Sequence, residues 1–296
     1  MKKKAYCDII NGMKIKPLGK TVRFENDGEL EFFFVGTGSA FSKRFFQTNV
    51  LIIKGKDHLL VDCGTMCPYA FHTYNSSVEH VRNFLITHSH ADHMGGLEEV
   101  GLLNRYGANR DKYAKPSFII TDFYKKILWE QSLRGGMAYG EFTNGRHLTF
   151  EDYFTQIKPE HISSSPRPLY KSRCGSIDLK IYRTKHIPDN TGSWRTAFYS
   201  CGILVDERIL FPGDTLFDIE LLNMMLKRYP SIEWIFHDCQ FFPGGIHAYY
   251  GELKTLPEDI KKNMFLCHYG DNMEQFNAEA DGFAGFTHRG CYYNFG

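Results

Sequence analysis

No Cys-x-x-Cys pair occurs in this chain. Its eight cysteines stand at positions 7, 63, 67, 174, 201, 239, 267 and 291, a spacing that excludes a structural zinc ribbon. No apolar h-region follows Met1, and there is no run of about eighteen apolar residues, the length a membrane-spanning helix needs. The expectation is a cytoplasmic protein with no membrane partner, its thiols reduced and packed as small hydrophobes. Charge of one sign is also lacking. Lys and Arg total 35 against 34 Asp and Glu, a formal net charge of +1. That excludes a broad field for steering polyanions, though not a local basic groove. The Lys2-Lys3-Lys4 start reads as a solvated terminus. With no internal repeat and no low-complexity linker, residues 1–296 read as one domain. A polar extension covers 1–29 and an aromatic tail covers 282–296.

What the chain does have is enough apolar material for a large core, 43% hydrophobic and 15% aromatic residues, and an unusual concentration of imidazole. Phe84-Leu-Ile-Thr-His88-Ser-His90-Ala-Asp92-His93-Met-Gly-Gly96 is an apolar strand running into a loop with three histidines and one aspartate within six positions. His and Asp are donors that suit zinc, manganese or iron. So many on one short loop point to a metal, or two, drawing them together.

Strand patterns are predicted at Leu30–Val35, Val50–Lys54, His58–Asp62, Phe84–Thr87, Ser117–Thr121, Ile177–Thr184, Ala197–Val205, Arg208–Phe211, Ile232–His237 and Asn263–Cys267, with a short strand near Met13–Ile15. Helices are predicted within Pro68–Arg82 and at Gly96–Tyr106, Asp122–Leu133, Phe217–Lys227 and Pro257–Lys262. The alternation, with strands apolar on one or both faces, points to sheets covered by helices.

The histidine run resembles the signature of the metallo-β-lactamase superfamily, and further stations follow in order. They are Leu59-Leu-Val-Asp62-Cys-Gly64, His186 after the alternating stretch Ile177–Thr184, Phe211-Pro-Gly-Asp214-Thr215 and Met264-Phe-Leu-Cys-His268-Tyr-Gly270. The chain is similar to that superfamily over most of its length. The resemblance implies an α/β fold, a four-layer αβ/βα sandwich with two mixed β-sheets and the metal site at one edge. It implies two divalent ions, zinc first, with manganese or iron as alternatives. His88, His90 and His186 would take one ion. Asp92, His93 and His268 would take the other, and Asp214 would bridge them. Asp62 reads as an orienting residue, holding a ligand histidine through its other ring nitrogen.

Glu31-Phe-Phe-Phe-Val-Gly36-Thr-Gly38-Ser-Ala40 resembles the opening of the tRNase Z branch and its cyclic-nucleotide phosphodiesterase relatives, although Gly-x-Gly is equally a tight strand-to-loop turn. By the same resemblance His247, in Pro243-Gly-Gly-Ile-His247-Ala, is the general acid or phosphate donor and Asp238 its orienting partner. On residues alone His247 is also readable as a loop histidine without a role. Asp92, His247 and Asp238 form the expected catalytic set, Asp92 doubling as a metal ligand.

The Gly/Pro-rich protruding arm with which tRNase Z enzymes grip tRNA is not found. The segment 101–176 carries Arg134-Gly-Gly-Met-Ala-Tyr-Gly-Glu141 and Arg146-His147 instead. With the small net charge, this favours a small phosphodiester such as a cyclic nucleotide, cleaved by metal-activated hydroxide. The alternatives are tRNA 3′-end or other RNA cleavage, and lactone or thioester hydrolysis. A non-enzymatic metal scaffold predicts missing ligands, and all are in place. Residues 134–147 and the tail are candidates to cover the site, in the same chain or a neighbour in a homodimer. The tail's other reading is packing of its rings on its own core.

Overall fold

The computed structural model describes residues 8–10 and 12–296. Cys7 and the Lys2–Lys4 run lie outside them. By internal contacts the chain forms two compact units, each built on one mixed sheet.

The first unit takes the chain up to Gly36, Asn49–Pro159 and Gly290–Gly296. Its sheet runs, strand beside strand, Asp8–Ile10, Met13–Pro17, Cys291–Asn294, Glu31–Gly36, Asn49–Lys54, Asp57–Val61, Asn83–Leu85, Ser117–Ile119, Thr155–Ile157. The first five pairings are antiparallel and the last three parallel. Glu31–Gly36 is buried along its whole length, as its near-continuous apolar run requires. The helix Leu97–Tyr106 buries Leu97, Val100 and Gly101 on one stripe and carries Glu98 and Glu99 in its first turn and Arg105 in its last, charges that complement the helix dipole. The helix predicted at Asp122–Leu133 is α-helical to Ile127 and winds as a π-helix over Leu128–Leu133.

The tail is structural over Cys291–Asn294. That strand pairs with Met13–Pro17 on one side and Glu31–Gly36 on the other. Tyr292, Tyr293 and Phe295 are buried, and the Phe33–Tyr292 and Phe34–Tyr293 rings meet at 4.5 and 5.2 Å between centroids. Such cross-strand pairs are what stabilises a sheet locally. These rings pack on the core of their own chain and cannot serve as a lid.

The second unit takes Thr37–Thr48 and Glu160–Arg289. Its sheet order follows the sequence: Glu160–Ser163, Leu169–Cys174, Ile177–Arg183, Cys201–Val205, Ile209–Gly213, Trp234–Asp238, Met264–Cys267, Gly285–Phe286. It is antiparallel as far as Ile209–Gly213 and parallel beyond. The helix Ile219–Arg228 is capped by Asp218, whose carboxylate accepts from Leu221 N at 3.2 Å, and it buries Leu221, Leu222 and Met225. These pack with Leu204, Leu210, Ile235, Met264 and Leu266 of the sheet. The parallel strands end where loops carrying polar residues begin, and those loops hold the candidate site.

Seven cysteines among the described residues are buried. Among the described residues no helix is long and apolar enough to cross a membrane.

Candidate metal centre

In the first unit the donors hang from two neighbouring parallel strands, Asp57–Val61 and Asn83–Leu85. Asp62 follows the first in a left-handed conformation, φ 64°, which Asp adopts more readily than most residues. Its backbone N–H donates to Leu85 O at 2.9 Å. Its carboxylate then becomes the hub of the histidine loop. It accepts from Thr87 N at 2.7 Å and from the Thr87 hydroxyl at 2.8 Å. It also accepts from His93 Nδ1 at 2.7 Å. Because a carboxylate only accepts, His93 must donate through Nδ1, which leaves its Nε2 lone pair for a metal. The Thr87 oxygen, already donating to Asp62, accepts from His88 Nδ1 at 3.0 Å, so His88 also presents Nε2. One buried carboxylate thus sets the tautomer of two histidines 31 and 26 residues away in sequence. Burial pushes the Asp62 carboxyl above its usual range, against the His93 and Thr87 hydrogen bonds.

The remaining donors of this loop are close by. His88 Nε2 lies 3.0 Å from His90 Nδ1, and His93 Nε2 lies 3.2 Å from Asp92 Oδ2. His88, Asp92 and His93 are buried. Gly96 is required by close approach: a Cβ there would stand 2.7 Å from Gly64 O.

In the second unit three strand ends contribute. His186 follows Ile177–Arg183, is fully buried, and donates through Nδ1 to Ile246 O at 2.9 Å. That again leaves Nε2 facing away. Asp214 follows Gly213, whose φ is 66°, a conformation that glycine adopts without strain. His268 follows Met264–Cys267, with its N–H on Thr37 O at 2.8 Å. Three imidazoles converge on Asp214 Oδ2: His268 Nε2 at 3.3 Å, His247 Nδ1 at 3.7 Å and His186 Nε2 at 3.9 Å.

Asp238 ends the strand Trp234–Asp238 and lies beside this group. Its Oδ2 accepts from His247 Nδ1 at 3.0 Å and from Thr215 N at 3.1 Å, while its Oδ1 is 3.0 Å from His237 Nδ1. Burial pushes the Asp238 carboxyl up, but the hydrogen bonds from His237 and His247 outweigh it and hold the group below its usual range. Asp214, Asp238 and His247 offer ligand atoms all within 4.8 Å of one another.

The structure therefore gathers His88, His90, Asp92 and His93 around Asp62 in one unit, and His186, Asp214, His268, Asp238 and His247 in the other. Spacing in the sequence did not reveal Thr87, which relays Asp62 to His88, or His237, the second partner of Asp238. Their only signal was a polar residue closing an apolar run. The donor chemistry fits divalent metals. Imidazoles with one nitrogen committed to hydrogen bonding, mixed with carboxylates, form the set that zinc, manganese and iron take.

Comparison with known proteins bears on this reading. A family model described as Anti-Pycsar protein Apyc1 matches residues 30–293. The anti-Pycsar protein Apyc1 of Bacillus phage BSP38 is 37% identical over 246 residues, covering 82% of this chain and 90% of its own. That of Paenibacillus harenae is 35% identical over 243 residues, with coverage of 82% and 90%. Among solved structures, the metallo-β-lactamase fold protein YhfI of Bacillus subtilis superposes with a TM-score of 0.61 at 14% identity, covering 90% of this chain and 99% of its own. The short form of human tRNase Z gives 0.57 at 16%, covering 82% and 94%. The fold is the metallo-β-lactamase fold expected from the sequence, and with the His/Asp clusters it supports a metal-dependent hydrolase. On the family match and the identity to its relatives, the chain belongs to the anti-Pycsar protein Apyc1 family.

Proposed function

We propose that this chain is a dinuclear metal-dependent phosphodiesterase that cleaves a small cyclic phosphodiester, a cyclic nucleotide. The observation that carries this reading is the His247–Asp238 pair beside Asp214, at 3.0 and 3.7 Å. A phosphodiester releases an alkoxide, which needs a proton that a metal cannot give. Asp238 takes the Nδ1 hydrogen of His247, so the opposite nitrogen is the one to hold and deliver that proton. Thioesters, which release a thiolate, place less demand on such an acid. Asp238 is fixed in turn by Thr215 N and His237, so the acid is aimed by a rigid strand end and not by a loose loop.

The reading assigns two ions, zinc first, to His88, His90, Asp92 and His93 together with His186, Asp214 and His268. When bound, the ions supply an acidified water and neutralise charge on the phosphate. Asp62 holds the His88 and His93 tautomers, and Ile246 O holds that of His186. The relatives' name, anti-Pycsar, agrees with an enzyme that removes a cyclic-nucleotide signal. The formal charge of +1 supports a small substrate over a long nucleic acid.

The test is a screen of purified, metal-loaded protein against 2′,3′- and 3′,5′-cyclic nucleotides, short RNA, thioesters, lactones and a β-lactam. Turnover of a cyclic nucleotide with little cleavage of RNA is expected. Preferred cleavage of RNA would move the assignment to an endonuclease. Hydrolysis of lactone or thioester alone would end the phosphodiester reading, and two bound ions with no hydrolysis would make the protein a scaffold.

A further inference from the structure

The loop that carries His247 is closed on itself by a single side chain. Gln240, buried, donates through Nε2 to Phe242 O at 2.9 Å and to Gly244 O at 2.7 Å. Its Oε1 accepts from His247 N at 3.3 Å. Both amide hydrogens are used, and the partners dictate which end is nitrogen, since a reversed carboxamide would aim oxygen at two carbonyls. The backbone of the same residue ties the loop's ends: Gln240 N donates to Ala248 O at 2.9 Å, and Tyr250 N donates to Gln240 O at 2.9 Å. At the start of the loop Phe241 also stacks on Phe276, 4.0 Å between ring centroids. Gly244 and Gly245 have φ of 70° and 121°, the conformations most costly to order. Gly245 also makes room for the clamp, because a Cβ there would stand 2.8 Å from Gln240 Oε1 and 2.9 Å from Nε2.

Two groups of this loop reach the candidate site. Ile246 O accepts the Nδ1 hydrogen of His186, and His247 Nδ1 meets Asp238. Adjacent in sequence, they move together if the loop moves. We infer that Gln240 is a positioning residue, whose carboxamide holds Ile246 O where it fixes the His186 tautomer and His247 where it meets Asp238. The activity consequence rests on the phosphodiesterase reading. The positional one does not.

The experiment uses Gln240→Met, which keeps volume and removes all three hydrogen bonds, and Gln240→Glu, which keeps the acceptor and sets a carboxylate against two carbonyls. In metal-free protein, amide exchange over residues 241–247 should rise about tenfold or more in Gln240→Met, while the strand 234–238 stays protected. With zinc and 3′,5′-cyclic AMP, whose leaving alkoxide needs the proton, kcat should fall about tenfold to a hundredfold, with KM little changed. In a His247→Ala background the same change should cost less than in the parent, because only the hold on Ile246 O is then left to lose. Unchanged loop exchange in both Gln240 variants overturns the inference, as does an equal kcat loss with and without His247. If no phosphodiester is cleaved by the parent protein, the exchange arm alone decides the positional claim, and the failure belongs to the proposed function. If Gln240→Met does not fold, Gln240→Glu carries the same measurements.

Discussion

Replacing Asp62 by Asn should leave the protein folded and weaken its hold on metal. Asn tolerates the left-handed φ of 64°. Its Oδ1 keeps the two contacts Asp62 Oδ1 makes to Thr87, N at 2.7 Å and Oγ at 3.0 Å. The change falls at the other oxygen, 2.7 Å from His93 Nδ1 and 2.8 Å from Thr87 Oγ. An amide nitrogen there donates, so His93 must accept through Nδ1 and carry its hydrogen on Nε2. That nitrogen lies 3.2 Å from Asp92 Oδ2, so the two donors would bond each other. Losing the partner that orients a metal-binding histidine costs about 10–100-fold in metal affinity, or about 1.4–2.7 kcal/mol. Asp62→Ala behaves differently. Thr87 N–H and His93 Nδ1–H both lose a buried acceptor, at about 1–3 kcal/mol each, and alanine in the left-handed region adds about 1 kcal/mol. The sum, about 3–7 kcal/mol, is a large part of a typical stability of about 5–15 kcal/mol. Competition titration with a chelator measures affinity, long-range proton–nitrogen spectra report the His93 tautomer, and thermal melting of metal-free protein reports stability. If Asp62→Asn binds two equivalents of zinc as tightly as the parent and His93 keeps its Nδ1 hydrogen, the orienting role is refuted.

Other outcomes follow from the same structure. His247→Ala should lower kcat about 10²–10⁴-fold with metal content unchanged by elemental analysis, and loss of an ion would make His247 a ligand instead of an acid. Truncation after Asp281 removes the strand Cys291–Asn294, paired on both sides, so melting temperature should collapse. Unaltered melting with weakened substrate affinity would revive the lid. Glu141 is held at about 2 by its hydrogen bonds to Arg105. A depressed carboxyl contributes stability above its unfolded pKa of about 4.3 that is lost as pH falls toward the folded value. Glu141→Gln should therefore flatten the fall in melting temperature between about pH 4.3 and pH 2, and an unchanged acid limb counts against the pair.

Much of this protein is legible in its residue order because the information is local. An apolar strand that stops at His88-Ser-His90-Ala-Asp92-His93 announces a loop, its donors and its chemistry within thirteen positions. Gly213 before Asp214 and the helix Leu97–Tyr106 are readable for the same reason, since turn chemistry and a 3.6-residue period act over one or two turns. The family resemblance extended that reading to His186 and His268, whose surroundings alone say little. Strands such as Glu160–Ser163 and Leu169–Cys174 escaped because their residues are mixed in polarity and lie toward a sheet edge, where burial writes a faint pattern.

Other decisions belong to tertiary structure alone. Nothing local tells that Cys291–Asn294 is a central strand, because its partners lie more than 250 residues earlier. Asp62 meets His93 only because two parallel strands end side by side, and Gln240 governs His186 only through a loop whose carbonyl comes within 2.9 Å of that ring. The sequence by itself determined which donors this protein carries and the strand ends they occupy. Which nitrogen of each histidine is left for a metal was decided by hydrogen bonds across long separations, and only folding brings those partners into reach.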